Sequence, residues 1–193
     1  MISWRVCRET TSNHVSSSPG SGSGSEWRYT GSTMNEQGAS ESVQIVGYAE
    51  EYADAFAQLN RAWLEQYSLL EDGDRKQLEH PRESILATGG DIFIALIGGV
   101  AVGTCAAIVH NPETVELAKL SVAGSVRGQG IGLQLSQTVI AWARARGAQR
   151  VILVSSTKLE AALRLYERMG FKYGPLPATP AYDTADIFME LVL

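Results

Sequence analysis

The run Arg127-Gly128-Gln129-Gly130-Ile131-Gly132 joins an apolar segment, Val115 to Val122, to a long helical pattern. A glycine-rich bend between a strand and a helix is a place to hold phosphates. Glycine lets the backbone approach a ligand without a Cβ in the way. The first turn of the following helix carries unpaired N–H groups and the positive end of the helix dipole. Each exposed contact of this kind with an anion contributes only about 0.3–1 kcal/mol, but several acting on one pyrophosphate fix a cofactor. A P-loop requires Lys and then Ser or Thr after the last glycine, and Leu133 and Gln134 stand there instead. A dinucleotide fold requires G-x-G-x-x-G and an acidic residue at the end of the next strand. The spacing here is G-x-G-x-G, and the next strand runs into Ser155-Ser156.

Hydrophobic periodicity supplies the elements that must position this bend. Val43 to Tyr48 reads as a strand and Glu50 to Tyr67 as a helix, with Tyr52, Phe56, Leu59 and Trp63 near helical spacing. Asp72-Gly73-Asp74 breaks that helix, and a second one is expected from about Arg75 to Thr88, interrupted or started afresh at Pro81. Ile92 to Ile97 and Val100 to Val109 are strands around a Gly98-Gly99 hairpin turn, and Asn111-Pro112 leads into Val115 to Val122. Ile131, Leu135, Val139 and Trp142 mark one face of a helix ending at Gly147. Val151 to Val154 is a strand. Leu159, Ala162, Leu163 and Tyr166 then mark a helix ending at Gly170. Phe171 to Tyr173 and Ala185 to Leu193 close the chain as strands, around an irregular Gly174 to Pro180 connection. The expected order is β-α-α-β-β-β-α-β-α-β-β: a mixed α/β fold whose antiparallel meander feeds a β-α-β unit.

The 193 residues suffice for one domain with a real core, and a content of 45% hydrophobic and 19% charged residues is that of a globular protein. The net charge of −5 offers no electrostatic reason to expect nucleic acid or an anionic membrane as partner. No apolar run approaches the ~18 residues that crossing a membrane requires. Cys7 and Cys105 make neither a disulfide framework nor a metal cluster, and His14, His80 and His110 show no metal-ligand spacing. A reducing, cytoplasmic setting and no metal are expected. Residues 1–42 differ from the rest. Their Ser16 to Ser25 run of Ser, Gly and Pro is linker chemistry, so a disordered extension is expected there, with Met34 as an alternative start, and a folded domain over 43–193.

Two separated motifs bring in a family. Arg127 to Gly132 matches the Arg/Gln-x-x-Gly-x-Gly/Ala signature of the GCN5-related N-acetyltransferases, in the setting Glu116-Leu117-Ala118-Lys119-Leu120-Ser121-Val122. Ala162-Leu163-Arg164-Leu165-Tyr166-Glu167-Arg168-Met169-Gly170-Phe171 resembles the second signature. The element order is that of the family fold, and the resemblance spans about 43–193. Leu59-Asn60-Arg61-Ala62-Trp63-Leu64-Glu65 resembles bacterial members, which points to a single-domain bacterial type.

The resemblance implies coenzyme A as the ligand of the glycine bend, with acetyl-CoA as donor and a small-molecule or peptide amine as acceptor. It puts the pantetheine arm beside Leu120, Ser121 and Val122, and the pyrophosphate on Arg127, Gly128, Gln129, Gly130, Ile131, Gly132 and Leu133. Tyr166 falls on the family's tyrosine, the expected proton donor to the departing sulfur. Its ordinary pKa near ~10 against ~8.5 for a thiol makes this donation uphill in water, so close placement and desolvation must assist. Glu116 is the candidate base, at a position where related enzymes often carry a carboxylate; the alternative is an exposed strand residue, since alternation alone does not say which face it takes. Many members have Asn at the position of Leu159; Ser155, Ser156 or Thr157 would replace its polar function. Glu71, Asp72 and Asp74 form an acidic cluster that is either a mouth for a cationic amine or a solvated turn. Acceptor specificity is expected between Trp63 and Thr88 and around Tyr182. A non-catalytic acyl-CoA-binding or sensing module is the alternative function, and a homodimer is left open.

Overall fold

The computed structural model describes residues 29–34, 40–177 and 182–193. The Ser16 to Ser25 linker run lies outside them. Fifteen elements follow one another. β1 (Tyr29–Met34) and β2 (Ser40–Gly47) lead, through a 3-10 turn at Glu50–Tyr52, to α1 (Ala53–Gln66) and α2 (Asp72–Glu79). A π-helical turn at Arg82–Leu86 precedes β3 (Asp91–Ile97), β4 (Val100–Asn111) and β5 (Thr114–Val122). A 3-10 turn at Gly124–Val126 leads to α3 (Ile131–Ala145), then β6 (Arg150–Ser155), α4 (Glu160–Arg168), β7 (Lys172–Gly174) and β8 (Ile187–Val192).

The strands form one eight-stranded sheet in the order β1-β2-β3-β4-β5-β6-β8-β7. Every neighbouring pair is antiparallel except β5–β6. The mixed, mostly antiparallel sheet flanked by helices is the fold class expected from periodicity. The sheet also begins earlier than expected, because β1, which lies in the stretch read as an extension, pairs with β2.

Helices cover both faces, so β3 is buried on both sides rather than alternating. Ile92, Ile94 and Leu96 face α1 and the α2 region with Phe56, Leu64, Leu78 and Ile85. Phe93 and Ala95 face the α3 side, with Leu135, Val139 and Trp142. Phe93 meets Trp142 edge-on, their ring centroids 6.5 Å apart. Among the described residues no helix is long and apolar enough to cross a membrane.

Two local expectations are corrected and a third is sharpened. Asp72-Gly73-Asp74 does not break a helix but opens α2, because Glu71 and Asp74 form a capping box in which the Glu71 N–H donates to Asp74 Oδ2 at 3.0 Å. The second helix ends at Glu79, and Pro81 starts the chain afresh as expected, but into a π-helical turn. On α1 the buried stripe is Phe56, Asn60 and Leu64. Leu59 and Trp63 sit half-buried beside it, since the fully hidden position belongs to an asparagine that apolar periodicity cannot register.

Candidate active site

β5 and β6 pair only over Thr114–Glu116 and Arg150–Ile152. Beyond Glu116 the two strands part, and a cleft of about 1350 Å³ opens between them. β5 lines it from Leu117 to Val122, the glycine bend and the start of α3 form one wall, and α4 supplies Leu165 and Tyr166. Leu120, Ser121, Val122, Arg127, Gly128, Gly130, Ile131, Gly132 and Leu133 all line the cleft, whereas Gln129 does not.

The bend takes its shape from two left-handed glycines, Gly128 at φ 81° and Gly130 at φ 80°. Gly130 is the N-cap of α3, and its carbonyl accepts the Gln134 N–H at 3.1 Å. The amides of Ile131, Gly132 and Leu133 precede that bond, at the helix end where donors lack intrahelical acceptors. A Cβ on Gly132 would lie 3.6 Å from Leu165, an ordinary contact, which agrees with a signature that tolerates Gly or Ala there. Arg127 Nε donates to Val122 O at 3.2 Å, so this exposed side chain also ties the bend to the end of β5.

Tyr166 is 7% exposed, packs on Phe171 at 5.8 Å between ring centroids, and lines the cleft. Burial pushes its phenol pKa well up, with Cys105 adding to the shift, so the group holds its proton. Burial does the same to the Cys105 thiol and makes it a filler of the core.

A second cavity, of about 90 Å³, lies against the cleft. The two share Trp63, Ala118, Lys119, Val154, Ser155 and Leu159 as walls. Asp74, Glu116 and Tyr182 line only the smaller one. Lys119 Nζ donates to Asp74 Oδ1 at 2.5 Å and to Tyr182 OH at 3.1 Å, and Tyr182 OH donates to Gln77 Oε1 at 3.1 Å. The ammonium also stands 5.0 Å from the Tyr182 ring centroid. Burial works to lower the Lys119 pKa, but Tyr182 and Asp74 outweigh it and keep the ammonium charged.

Lys119 reaches this position through a bulge. Thr104 pairs with Ser121 and Ala106 with Ala118, so Cys105 opposes both Lys119 and Leu120, and Lys119 takes a φ of 53°. A buried polar chain holds the bulge: Asn60 Nδ2 donates to Thr104 Oγ1 at 2.9 Å, and Thr104 Oγ1 donates to Lys119 O at 3.1 Å. The Ser121 hydroxyl donates to Leu59 O at 2.7 Å, pinning α1 to the same strand.

Glu116 is no exposed strand residue. It is 8% exposed, faces the smaller cavity, and lies 2.6 Å through Oε2 from His110 Nε2. The three carboxylates of the acidic cluster have different surroundings. Asp74 is spent on Lys119, and Asp72 is fully exposed. Glu71 accepts from Thr184 Oγ1 at 2.7 Å and from the N–H groups of Thr184 and Asp183 at 2.8 and 3.0 Å. Burial works to raise the Glu71 pKa, but these hydrogen bonds prevail and hold it below the usual range. Leu159 caps α4 and shows an apolar side chain to both cavities, with Ser155 beside it. Among the described residues no three His, Cys, Asp or Glu side chains gather as they would to hold a metal.

Sequence reasoning missed Lys119 and His110. A lone cation inside an apolar strand was the available signal for Lys119. His110 carried none.

The acetyltransferase (GNAT) family model matches residues 52–171. N-alpha-acetyltransferase 30 of Schizosaccharomyces pombe is 33% identical over 134 residues, covering 67% of this chain and 83% of that protein. The probable N-acetyltransferase family 8 member 5 of Mus musculus is 38% identical over 94 residues, covering 46% of this chain. The match spans only 41% of the mouse protein's length. A GNAT-family acetyltransferase from Staphylococcus aureus shares the fold at a TM-score of 0.71 and 23% identity, over 78% of this chain and 99% of that one. The Salmonella typhimurium protein yncA, solved with its cofactor acetyl-CoA, does so at 0.64 and 19%, over 78% and 94%.

Proposed function

The chain belongs to the GNAT acetyltransferase family, and from that membership we propose that it is an acetyl-CoA-dependent N-acetyltransferase acting on a primary amine. The observation that carries this reading is the meeting of two cavities at the β5–β6 opening. One is large, with a glycine-built helix start and Tyr166 in its wall; the other is small, with Glu116 in its wall.

The residues fit the donor. The left-handed glycines turn the chain so that the leading amides of α3 lie at the cleft wall, and apart from the local backbone nothing lies within 4 Å of where a Cβ on Gly128 or Gly130 would stand. Beyond Glu116, the β6-facing edge of β5 has no strand partner, which suits a pantetheine arm pairing beside Leu120 to Val122. Acetyl-CoA would supply the activated acetyl thioester. The chain's own groups do the rest. Glu116 takes a proton from the amine in the smaller cavity. Tyr166 keeps its proton at neutral pH and holds it at the cleft wall for the leaving sulfur, a form of acid help worth roughly 10²–10⁴ in rate. Holding amine and thioester in one orientation supplies a further large part of the acceleration.

The acceptor enters from the side of Trp63, Asp74 and Tyr182. Thiol release from acetyl-CoA tests the reading against a polyamine, an amino acid, an aminoglycoside, a peptide with a free N-terminus and a peptide with an internal lysine. Amine-dependent release that Tyr166→Phe suppresses is the expected result. Tight acetyl-CoA binding with no release for any amine would instead mark an acyl-CoA-sensing module.

A further inference from the structure

The β4–β5 ladder contains a second bulge. Val109 pairs with Val115 and Asn111 with Thr114, so His110 is the extra residue on β4, opposite no partner. Bulges re-aim the side chains they carry. Ile108 and His110 both follow the alternation of β4 toward the face where Ile108 pairs with Glu116. The imidazole lies across that face, with Nε2 at 2.6 Å from Glu116 Oε2. Its side chain is 44% exposed while that of Glu116 is only 10% exposed. The pair therefore has one end in the smaller cavity and one end in water.

We infer that His110 and Glu116 act as one proton-transfer unit, in which the bulge sets His110 as the exit that carries the acceptor's proton from Glu116 to solvent. The inference rests on the proposed acetyl transfer, and His110 in it is a positioning and proton-exit residue. While the ring carries a proton on each nitrogen, it cannot take another from Glu116. Once the ring is neutral with its Nε2 lone pair toward Oε2, the acceptor nitrogen gives its proton to Glu116, the bridge passes it to Nε2, the imidazolium releases one to water, and proton exchange with water at the exposed ring restores the first tautomer. One proton enters and one leaves, and the nitrogen keeps its electron pair for the new bond.

Other charged groups on this side of the sheet have partners of their own: Arg150 of β6, in register with Thr114, lies 3.7 Å from Glu190 of β8. Lys119 of β5 and Asp74 of α2 pair with each other across the cavity, and Tyr182 precedes β8. Asp91 of β3 lies in register with Ala107. α1 and β6 line the cavity with the uncharged Trp63, Leu64, Val154, Ser155 and Ser156. The hydrogen bond that the ring donates to Glu116 outweighs burial and raises the His110 pKa above its ordinary value.

The test follows kcat/KM against pH for the wild type, His110→Gln and Glu116→Gln, using the amine of the panel above that turns over fastest. The His110 imidazole is titrated by NMR alongside. The imidazole should titrate above ~6.5, and Glu116→Gln should return it toward that value. Wild-type kcat/KM should rise with pH through the same titration. His110→Gln should move that limb down by more than about one pH unit. It should also lower the plateau about tenfold, less than the roughly 10²–10⁴ expected for losing the base itself. Above the imidazole's titration, where its linked contribution to stability is gone, thermal melting of His110→Gln should match wild type, since the ring is half in water. A limb and plateau unchanged in His110→Gln, or an imidazole indifferent to Glu116→Gln, would overturn the inference and leave the acetyl-transfer reading standing. If the wild type turns over no amine, both fall together.

Discussion

The glycine bend at Arg127–Gly132 offers a ligand mostly backbone, while the small cavity around Lys119 offers only side chains. The bend is six consecutive residues held by two left-handed glycines and a helix start. The cavity draws Trp63 from α1, Asp74 from α2, Glu116 and Lys119 from β5, and Tyr182 from the segment before β8. A backbone cradle can be lost without disturbing the core. A side-chain cavity closed by a buried ion pair cannot, because each charge left alone in the interior carries its full desolvation cost. The donor side should therefore report damage as lost affinity or rate, and the acceptor side as lost stability together with altered acceptor KM.

The sharpest break in that comparison is Tyr166→Phe, which should lower kcat by roughly 10²–10⁴-fold while calorimetry finds acetyl-CoA affinity unchanged. A matching loss of affinity would move Tyr166 from proton donation to binding. Next comes Asp74→Ala, which strands Lys119 and should cost about 3–5 kcal/mol in urea denaturation. The double variant Asp74→Leu with Lys119→Met should recover most of that loss. If the single and double variants are equally unstable, shape rather than charge holds the cavity.

Gly130→Val should weaken acetyl-CoA binding about 10–100-fold, the sum of a few anion contacts of ~0.3–1 kcal/mol each. Left-handed backbone at a β-branched residue adds a stability cost of about 1–3 kcal/mol. Gly132→Ala, where a Cβ meets only ordinary contacts, should keep affinity near wild type. Loss at Gly132 equal to that at Gly130 would refute the distinction between the two glycines.

The smallest effects are in pH linkage. The His110 pKa is raised in the folded state, so its contribution is full below the unfolded value near ~6.5 and is lost as pH rises through the folded value. The Glu71 pKa is lowered, so its contribution is full above the unfolded value near ~4.3 and is lost as pH falls through the folded value. Melting temperature followed against pH should show the first slope vanish in Glu116→Gln and the second shrink in Thr184→Ala.

Much of the frame was legible because periodicity reports burial. Ile131, Leu135, Val139 and Trp142 were read as one helix face, and all four are buried. The same signal failed on α1, where Asn60 occupies the hidden position and spends its amide on Phe56 O and Thr104 Oγ1. It failed at Asp72–Asp74, because a capping box and a polar turn share a composition and differ only in which backbone N–H the carboxylate receives. Glu116 could be singled out by its position, but not its face, its burial or its imidazole partner, since those depend on where β4 places a bulge.

The amino-acid sequence by itself determined the order of elements from β2 onward and the place of the glycine bend, because period and turn chemistry are local properties of the chain, and its resemblance to a family singled out Tyr166 and Glu116 as candidates. Tertiary structure alone decided that β5 and β6 part after Glu116, that Lys119 meets an aspartate 45 residues away, and that His110 joins Glu116. Those outcomes rest on strand register and two bulges, and register is settled by packing across the whole sheet rather than by any one segment of sequence.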